Sequence, residues 1–271
     1  MTTATSSRRA ATDAAWIPIF EYQMRVYRRT WRGTLFVRFL VPVFFLASMG
    51  IGLGSLVNRA TGGITVGGRS VPYLLFLVPA ILAVQAMNTG MGESSWPVLG
   101  AIRWQGTYHA MLASPVQVRD ILTAHCLYVA LQLTLSSSIF LLVAALFGGF
   151  SSWAALWLVP IAVLVGLAFV TPVVAFSATQ EDDNGFNLLF RLVQTPLMLF
   201  SGTFFPIAQL PLWLQPVAWV TPLWHGVEVS RGVSLGSGSV LGLFGHLAVL
   251  LLFVVAGWWL ALRSLQKRLV V

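Results

Sequence analysis

The sequence predicts an all-α polytopic membrane protein. Of its 271 residues, 57% are hydrophobic and only 9% are charged, and the chain contains 11 Trp and 18 Phe. Such a composition is typical of integral membrane proteins. A spanning helix needs about 20 mainly apolar residues, and six runs satisfy this, which leaves no room for a sizeable soluble domain. The six predicted transmembrane helices cover residues 35–57, 71–91, 120–147, 154–177, 187–205 and 241–262.

The segment before the first predicted span has the pattern of a helix that lies in the membrane interface. Apolar side chains recur at steps of three and four residues and arginines occupy the other flank, so the apolar side would face the lipid. We predict this N-terminal interfacial amphipathic helix over residues 16–32, after a flexible cytoplasmic tail at 1–15. Two roles are open for this helix: it is a simple membrane anchor, or it also contacts a partner or gates the access of lipid. The apolar positions are Ile17, Phe20, Met24, Tyr27 and Trp31, and the interfacial anchor residues are Arg25, Arg28, Arg29 and Arg32.

Positive charges predict the orientation of the spans, because cytoplasmic segments carry an excess of Lys and Arg. The six spans form one domain at 35–262, followed by a C-terminal tail at 263–271. An even number of spans places both termini on the same side of the membrane. We therefore predict that both termini are cytoplasmic. The net charge of +8 follows the membrane edges, which indicates contact with membrane lipid and no nucleic-acid partner. The predicted cytoplasmic side carries Arg8, Arg9, Arg25, Arg28, Arg29, Arg32, Arg103, Arg119, Arg263, Lys267 and Arg268, against Arg59, Arg69 and Arg231 on the other side.

The loop between the second and third spans, residues 93–119, is longer than a simple turn requires. Its first part, "ESSWPVLGAIRW", predicts a broken amphipathic continuation of the second span, and "GTYHAML" predicts a short helix that ends before a proline. Ser114 is predicted to cap the third spanning helix, with Pro115 at its first position and Gln117 completing a capping box. A short helix would thus lie across the mouth of the bundle, rigidly joined to a spanning helix. An amphipathic loop that only seals the membrane surface is the alternative.

Several function classes lack the residues that they require. A phosphate-binding P-loop needs a lysine after its glycines, and the only lysine of the chain is Lys267, so the chain has no ATPase site of its own. A proton- or ion-coupled transporter should carry ionisable residues deep in its spans, but every Asp and Glu falls in a tail, a loop or a span end. Neutral polar residues within the spans, Gln85, Asn88, Gln132 and Gln194, are expected to form hydrogen bonds between helices.

A membrane-embedded enzyme is not favoured either. The four histidines, at positions 109, 125, 225 and 246, have no metal-binding spacing and no nucleophile motif near them. We predict no catalytic residue and no metal site, and we expect Cys126 to act as a small hydrophobic side chain. A scaffold that only anchors a soluble partner remains an alternative.

Two segments together resemble a known family. "GTYHAMLASPVQVRDIL", residues 106–122, is similar to the cytoplasmic signature of ABC type 2 exporter permeases, which include daunorubicin-resistance and nodulation-factor export permeases. The matching positions are Gly106, Thr107, Leu112, Ser114 and Pro115, whereas Tyr108 and His109 depart from the usual pattern. "FSGTFFPIAQLPLWLQPVAWVTPLWHGVEVSRGVSLG", residues 200–236, resembles a second segment of the family near its C-terminal end.

The resemblance implies a transmembrane permease subunit of an ATP-driven exporter. A separate ABC ATPase subunit, present in two copies, would bind ATP and Mg, since this chain would bind no cofactor itself. The transport pathway would form between this permease and a second permease, either an identical copy or a related chain. The residues that the resemblance implies for ATPase coupling are Gln105, Gly106, Thr107, Tyr108, Leu112, Ser114 and Pro115.

A second cytoplasmic contact with the ATPase is predicted in the acidic segment "QEDDNGF", residues 180–186. Glu181, Asp182 and Asp183 would supply its charge. The alternative is an ordinary solvated turn, and sequence alone leaves the two open.

Prolines predict short re-entrant helices between the fifth and sixth spans, on the extracellular side. Four prolines cut residues 204–231 into pieces too short to span a membrane, and irregular backbone at membrane depth must be buried in protein or line a watery cavity. The family resemblance implies that these pieces form an extracellular gate, and an external loop without a gating role is the alternative. Glu228 and Arg231 are expected to form an exposed ion pair. The predicted gate residues are Phe204, Phe205, Pro206, Trp213, Pro222, Glu228 and Arg231.

The apolar spans suit a hydrophobic or amphipathic substrate that enters from the membrane. Resemblance to drug-resistance permeases favours a drug-like molecule or a lipid, and a lipid-linked oligosaccharide or polysaccharide is the alternative. The excess of arginine over lysine suggests a bacterial chain, for which the predicted location is the inner (cytoplasmic) membrane.

Overall fold

A computed structural model describes residues 15–66, 68–150 and 152–270 of the chain. Most of these residues are helical, as predicted. The α-helices, numbered in chain order, are α1 (Trp16–Phe45), α2 (Gly54–Thr61), α3 (Tyr73–Ser94), α4 (Trp96–Leu99), α5 (Thr107–Leu112), α6 (Val118–Leu146), α7 (Leu158–Ser177), α8 (Asn184–Leu188), α9 (Thr195–Phe200), α10 (Gln215–Trp219), α11 (Pro222–Leu235) and α12 (Val240–Leu269).

Shorter elements join these helices. Strands β1 (Ile64–Val66) and β2 (Arg69–Val71) form an antiparallel hairpin that the sequence analysis did not predict, with Thr65 paired to Ser70. The other short elements are π-helical segments and 3₁₀ turns. The π-helical segments are Leu46–Leu53, Gly100–Trp104 and Leu189–Gln194, and the 3₁₀ turns are Trp153–Trp157 and Ile207–Gln209.

Five helical segments of the described chain are long and apolar enough to cross a membrane. They overlap the first, second, third, fourth and sixth predicted spans, so those five predictions are confirmed in length and composition. The five segments are Phe39–Thr61, Tyr73–Trp104, Val118–Leu146, Trp153–Ser177 and Val240–Leu269.

The fifth predicted span, 187–205, corresponds to a shorter helix. Helix α8, a π-helical segment and α9 follow one another without a break, in pieces of 5, 6 and 6 residues, and at 1.5 Å per residue they extend for about 25 Å. The helix ends at Phe200 because the backbone turns at Gly202, whose φ of +75° suits glycine. The six-span arrangement therefore stays a prediction.

The N-terminal region forms one continuous helix where two elements were predicted. Helix α1 passes through position 33 without a break, includes Pro42, and continues through π-helical turns into α2. The division between an interfacial helix at 16–32 and a span from 35 is thus not visible in the backbone. Residues 1–14 of the predicted tail lie outside the described residues, as does Val271 at the C-terminus.

Helix α7 lies at the centre of the bundle and packs against α3, α6, α11 and α12. Its contact with α3 is very close, since a Cβ atom added at Gly90 would lie 2.6 Å from the carbonyl oxygen of Gly166. Small residues allow such close packing between helices in a membrane, where van der Waals contact replaces the hydrophobic effect as the driving force. Helix α12 is mostly outward-facing and buries only Leu250, Gly257, Ala261 and Leu265.

The two ends of the bundle differ in composition. One end, called the basic end here, contains residues 95–117, the turn at 178–183 and the last turns of α12. The other, called the proline end, contains the hairpin and residues 201–221. The helix at 184–200 joins them, because Glu181 just before it lies 3.9 Å from Arg268, while Thr203 just after it accepts a hydrogen bond from Arg231.

Candidate functional site at the two ends of the bundle

The basic end begins where α3 breaks. Ser94 and Ser95 are fully buried, and the backbone leaves the helical region at Ser95, two residues before Pro97. Ser177 of α7 donates its hydroxyl to the Ser94 carbonyl oxygen at 2.7 Å. This hydrogen bond satisfies a carbonyl at the break and ties α3 to α7.

The chain beyond the break continues as the predicted broken helix. Val98, Leu99 and Ile102 are buried against the bundle, whereas the Trp104 side chain is 64% exposed. Helix α4 and the following π-helical segment therefore pack on the protein with one face, and they present Trp104 at the surface.

Helix α5 is the predicted short helix, and two features fix its position. Gly106 precedes it with φ +63° and ψ +14°, a left-handed conformation that glycine adopts without strain. Tyr108 is only 6% exposed and inserts into the bundle, so burial raises the pKa of Tyr108 far above its ordinary value, with the nearby Cys126 thiol acting in the same direction. Gln105 and His109 are exposed on the outer side. A glycine turn and one aromatic anchor thus hold α5 at the surface.

The predicted cap of the third spanning helix is wrong by three residues. Ser114 ends α5 instead, since its hydroxyl donates to the Met111 carbonyl oxygen at 2.6 Å. Helix α6 begins at Val118, and its N-cap is Gln117, whose backbone N–H donates to the Asp120 carboxylate at 2.8 Å in a capping box. A tight turn between Ser114 and Val116 separates the two helices. Ser114 and Pro115 are exposed members of this turn.

The acidic segment lies at the same end of the bundle. Glu181, Asp182 and Asp183 are exposed. Asp182 accepts hydrogen bonds from the backbone and the side chain of Asn184, which stabilises the start of α8. The structure therefore brings the two predicted contact segments to one surface, while their contact with an ATPase remains a prediction.

The arginines of the predicted interfacial helix, Arg25, Arg28, Arg29 and Arg32, are all exposed. The predicted apolar face is partly buried and partly exposed. Tyr27 is buried against the bundle, whereas Ile17 and Trp31 are 40% and 42% exposed. Helix α1 packs along α6, so part of this face contacts protein.

The proline end consists of short pieces, as the prolines predicted. Thr221 caps α11 by accepting a hydrogen bond from the Trp224 backbone N–H, and Pro222 is the first residue of that helix. Trp213 is 74% exposed, and Phe204 and Phe205 are half-buried. Re-entry of these pieces into the membrane remains a prediction.

Arg231 joins the proline end to the rest of the bundle. Its guanidinium donates to the carbonyl oxygens of Phe76 at 3.2 Å and Thr203 at 2.9 Å, and it lies 3.6 Å from the centre of the Phe76 ring. The predicted pairing with Glu228 exists at 3.9 Å. The expected exposure is wrong, because Arg231 is 4% exposed. Burial lowers the pKa of Arg231 to about 10, opposed by Glu228 and Tyr73, and the side chain stays charged at neutral pH.

A family model described as ABC-2 type transporter matches residues 16–235, which include both ends of the bundle. The chain belongs to the ABC-2 type transporter family. The permease is 29% identical over 256 residues to Nodulation protein J of Rhizobium meliloti (strain 1021), with 94% of each chain covered. It is 28% identical over 255 residues to Nodulation protein J of Rhizobium leguminosarum bv. trifolii, again with 94% of each chain covered. Inner membrane transport permease YadH of Escherichia coli (strain K12) is 25% identical over 258 residues, which cover 92% of this chain and 93% of that protein.

Family membership confirms three predictions in their coarser form. The chain is a multi-pass membrane permease, it has no ATPase activity of its own, and permeases of this family pair with an ABC ATPase subunit that binds the ATP.

The permease has a histidine pair near the proline end. The Nδ1 atoms of His225 and His246 lie 2.7 Å apart, and His225 Nε2 lies 2.9 Å from the Trp219 carbonyl oxygen. Because a carbonyl oxygen only accepts, His225 carries its proton on Nε2 and accepts at Nδ1 from His246. The pair is thus a hydrogen-bonded link between α11 and α12.

Arg191 is a residue that the sequence analysis did not consider. It lies in the π-helical segment after α8 and is exposed. A single arginine within an apolar run was the signal that could have identified it, since charged residues within spans usually have a function. Nearby, Gln194 donates to Asn88 at 2.6 Å, which confirms the expected hydrogen bond between helices.

Proposed function

We propose that this permease exports a hydrophobic or amphipathic molecule, such as a drug-like compound or a lipid, across a bacterial inner membrane. Two ATPase subunits would power it, and a second permease, identical or related, would complete the pathway. Both termini would be cytoplasmic, so the basic end would face the ATPase. The proline end would then form the extracellular gate.

One observation carries the coupling part of this proposal. Helix α5 is a separate unit with His109 and Ala110 exposed, bounded by the left-handed turn at Gly106 and the tight turn at Ser114. Tyr108 anchors it in the bundle. Pushing α5 would therefore move both the Tyr108 anchor and the start of α6. Such an arrangement suits the transfer of motion from a bound ATPase to a spanning helix.

Export of a lipid-linked oligosaccharide or polysaccharide is the second candidate. The similarity to Nodulation protein J along 94% of both chains supports it, because nodulation-factor export permeases are one of the two branches of the family that the two sequence segments resemble. The same pathway would serve either substrate. The difference would lie in the residues that line the pathway between two permeases.

The first test is affinity purification of the permease from its native cells in mild detergent. We expect a stoichiometric ATP-hydrolysing partner. The pair is then reconstituted in liposomes, and ATP-dependent movement of a fluorescent phospholipid and of a hydrophobic dye is measured. A permease that purifies alone, with transport that follows a proton gradient, would contradict the proposal.

The second test changes the turn between α5 and α6. Replacing both Ser114 and Pro115 with alanine should leave ATP hydrolysis in place but reduce transport per ATP, because the turn between α5 and α6 would lose the Ser114 hydroxyl bond to Met111 and the fixed φ of Pro115. Ser239→Ala is the control, since Ser239 caps α12 through the Gly242 backbone N–H and its loss costs about 1 kcal/mol without touching α5. Unchanged coupling in the double variant would exclude this turn as the joint.

A further inference from the structure

Three parts of the chain that are distant in sequence form one groove at the basic end. The groove has a volume of about 520 Å³. Its walls come from residues 102–109, which include the π-helical segment and helix α5, from the acidic turn before α8, and from the last turn of α12. Its lining residues are Ile102, Arg103, Trp104, His109, Glu181 and Arg268.

Arg268 connects the C-terminal helix to the acidic turn. Its Nη2 donates to the Gln180 carbonyl oxygen at 3.4 Å, and its Nη1 lies 3.9 Å from the Glu181 carboxylate. The Glu181 side chain is 79% exposed, so this ion pair is weak and readily exchanged. A guanidinium has five N–H donors, and these two contacts engage only part of them.

The groove combines positive charge with an exposed aromatic side chain. Arg103 and Arg268 are the two arginines of the lining, and Glu181 is its single acidic residue. Trp104 stands at the edge, 64% exposed. Trp and Arg are the residue types that most often contribute strongly to protein interfaces, and two arginines with one carboxylate leave an unbalanced positive charge.

We propose that this groove binds an acidic segment of the partner ATPase, and that Arg268 belongs to the docking surface together with Arg103 and helix α5. The inference rests on the proposed function and extends it to the C-terminal helix. An incoming carboxylate would replace Glu181 as the partner of Arg268. Because His109 of α5 lines the same groove, the bound segment would touch the helix that transmits motion.

The test compares two neighbouring basic residues that face different surfaces. Arg268 lines this groove, whereas Lys267 is exposed and lines a separate groove with Arg119 and Arg263. The wild-type permease, Arg268→Glu and Lys267→Glu are each purified with the ATPase subunit that accompanies the wild type. We expect Arg268→Glu to retain at least tenfold less ATPase and Lys267→Glu to retain the wild-type amount.

Thermal unfolding in detergent separates docking from a merely structural role of Arg268. If Arg268 binds the ATPase, Arg268→Glu unfolds at the same Tm as Lys267→Glu while its retained ATPase falls. If Arg268 only holds the acidic turn in place, Arg268→Glu lowers Tm together with the retained ATPase, and the proposal is overturned. Arg268→Gln is a milder change that replaces Arg268→Glu if the latter folds poorly. It should also lower the amount of retained ATPase, but by less.

Anionic lipid is the competing occupant of a positive groove at a membrane surface. Binding of the purified permease to vesicles with and without phosphatidylglycerol tests this. A loss of vesicle binding in Arg268→Glu with full retention of the ATPase would assign the groove to lipid. If the wild type itself retains no ATPase, the proposed function fails, whereas equal retention by wild type and Arg268→Glu would overturn only the docking groove.

Discussion

The basic end and the proline end both hold short helices outside the main bundle, but they hold them by different means. At the basic end, backbone turns at Gly106 and Ser114 and one buried aromatic ring, Tyr108, position α5. At the proline end, one buried charge, Arg231, binds the carbonyl oxygens of two separate segments. The first attachment leaves a charged surface exposed, and the second buries its charge.

This difference indicates how each end can move. A helix held by turns can rotate as a unit, because the turns bend while the internal hydrogen bonds of the helix remain. A segment held by a buried arginine moves only when that arginine loses its carbonyl partners, which is costly in a low-dielectric environment. We therefore expect changes at the proline end to affect stability first, and changes at the basic end to affect coupling first.

The largest effect is expected for Arg231→Met. The change removes two charged hydrogen bonds and leaves the Phe76 and Thr203 carbonyl oxygens without this donor, at a cost of about 3 kcal/mol. Thermal unfolding in detergent measures it. Arg69→Ala is the control, because Arg69 is exposed at the same end of the bundle and its loss should leave Tm unchanged. Equal Tm values for Arg231→Met and wild type would contradict the conclusion that Arg231 holds the proline end in place.

A smaller loss of stability, together with a clear loss of coupling, is expected for Gly106→Ala. Nothing lies within 4 Å of a Cβ atom added there, so the cost is conformational: a left-handed backbone disfavours alanine by about 1–2 kcal/mol. Transport per ATP should fall more than Tm does. Gly106→Asn is the matched control, because asparagine tolerates the left-handed region and should keep more of the coupling. If both variants couple as the wild type does, the turn at Gly106 plays no part in coupling.

The smallest effect concerns pH at the proline end. Burial lowers the pKa of His225, the charge of His246 lowers it further, and the hydrogen bond to the Trp219 carbonyl opposes both. The folded state thus binds fewer protons than the unfolded state just below the ordinary histidine pKa of about 6.5, so stability falls as pH falls through this range. Tm of the wild type should be lower at pH 5 than at pH 7.5, and His225→Gln should reduce this difference. A dependence of equal slope in His225→Gln would assign it to other groups.

Local sequence signals predicted helices better than they predicted helix ends. The short helix predicted for "GTYHAML" is present because the proline that ends it is a local feature of the sequence. The cap of α6 was misplaced because N-cap propensity favours Ser114 over Gln117, whereas the observed turn at Ser114–Val116 makes the helix begin after Gln117. Local propensity does not show where the chain turns.

The fifth predicted span shows the same limit on a larger scale. Its apolar residues at 187–205 predicted a helix of spanning length, yet the helix ends at Phe200. The backbone after it turns so that the Thr203 carbonyl oxygen can meet Arg231, which is 28 residues later in the chain. Hydropathy measures apolar length and carries no information about a distant hydrogen-bond partner.

The sequence by itself determined the class of this protein, because apolar length, charge placement and two motifs are properties of consecutive residues. Membership of the ABC-2 type transporter family and the absence of an ATPase site follow from them. Only the tertiary structure decided that Arg231 is buried and that Arg268, Glu181 and His109 share one groove. Burial and grooves arise from the packing of segments that are distant in the chain, and a linear pattern does not specify which of these segments meet.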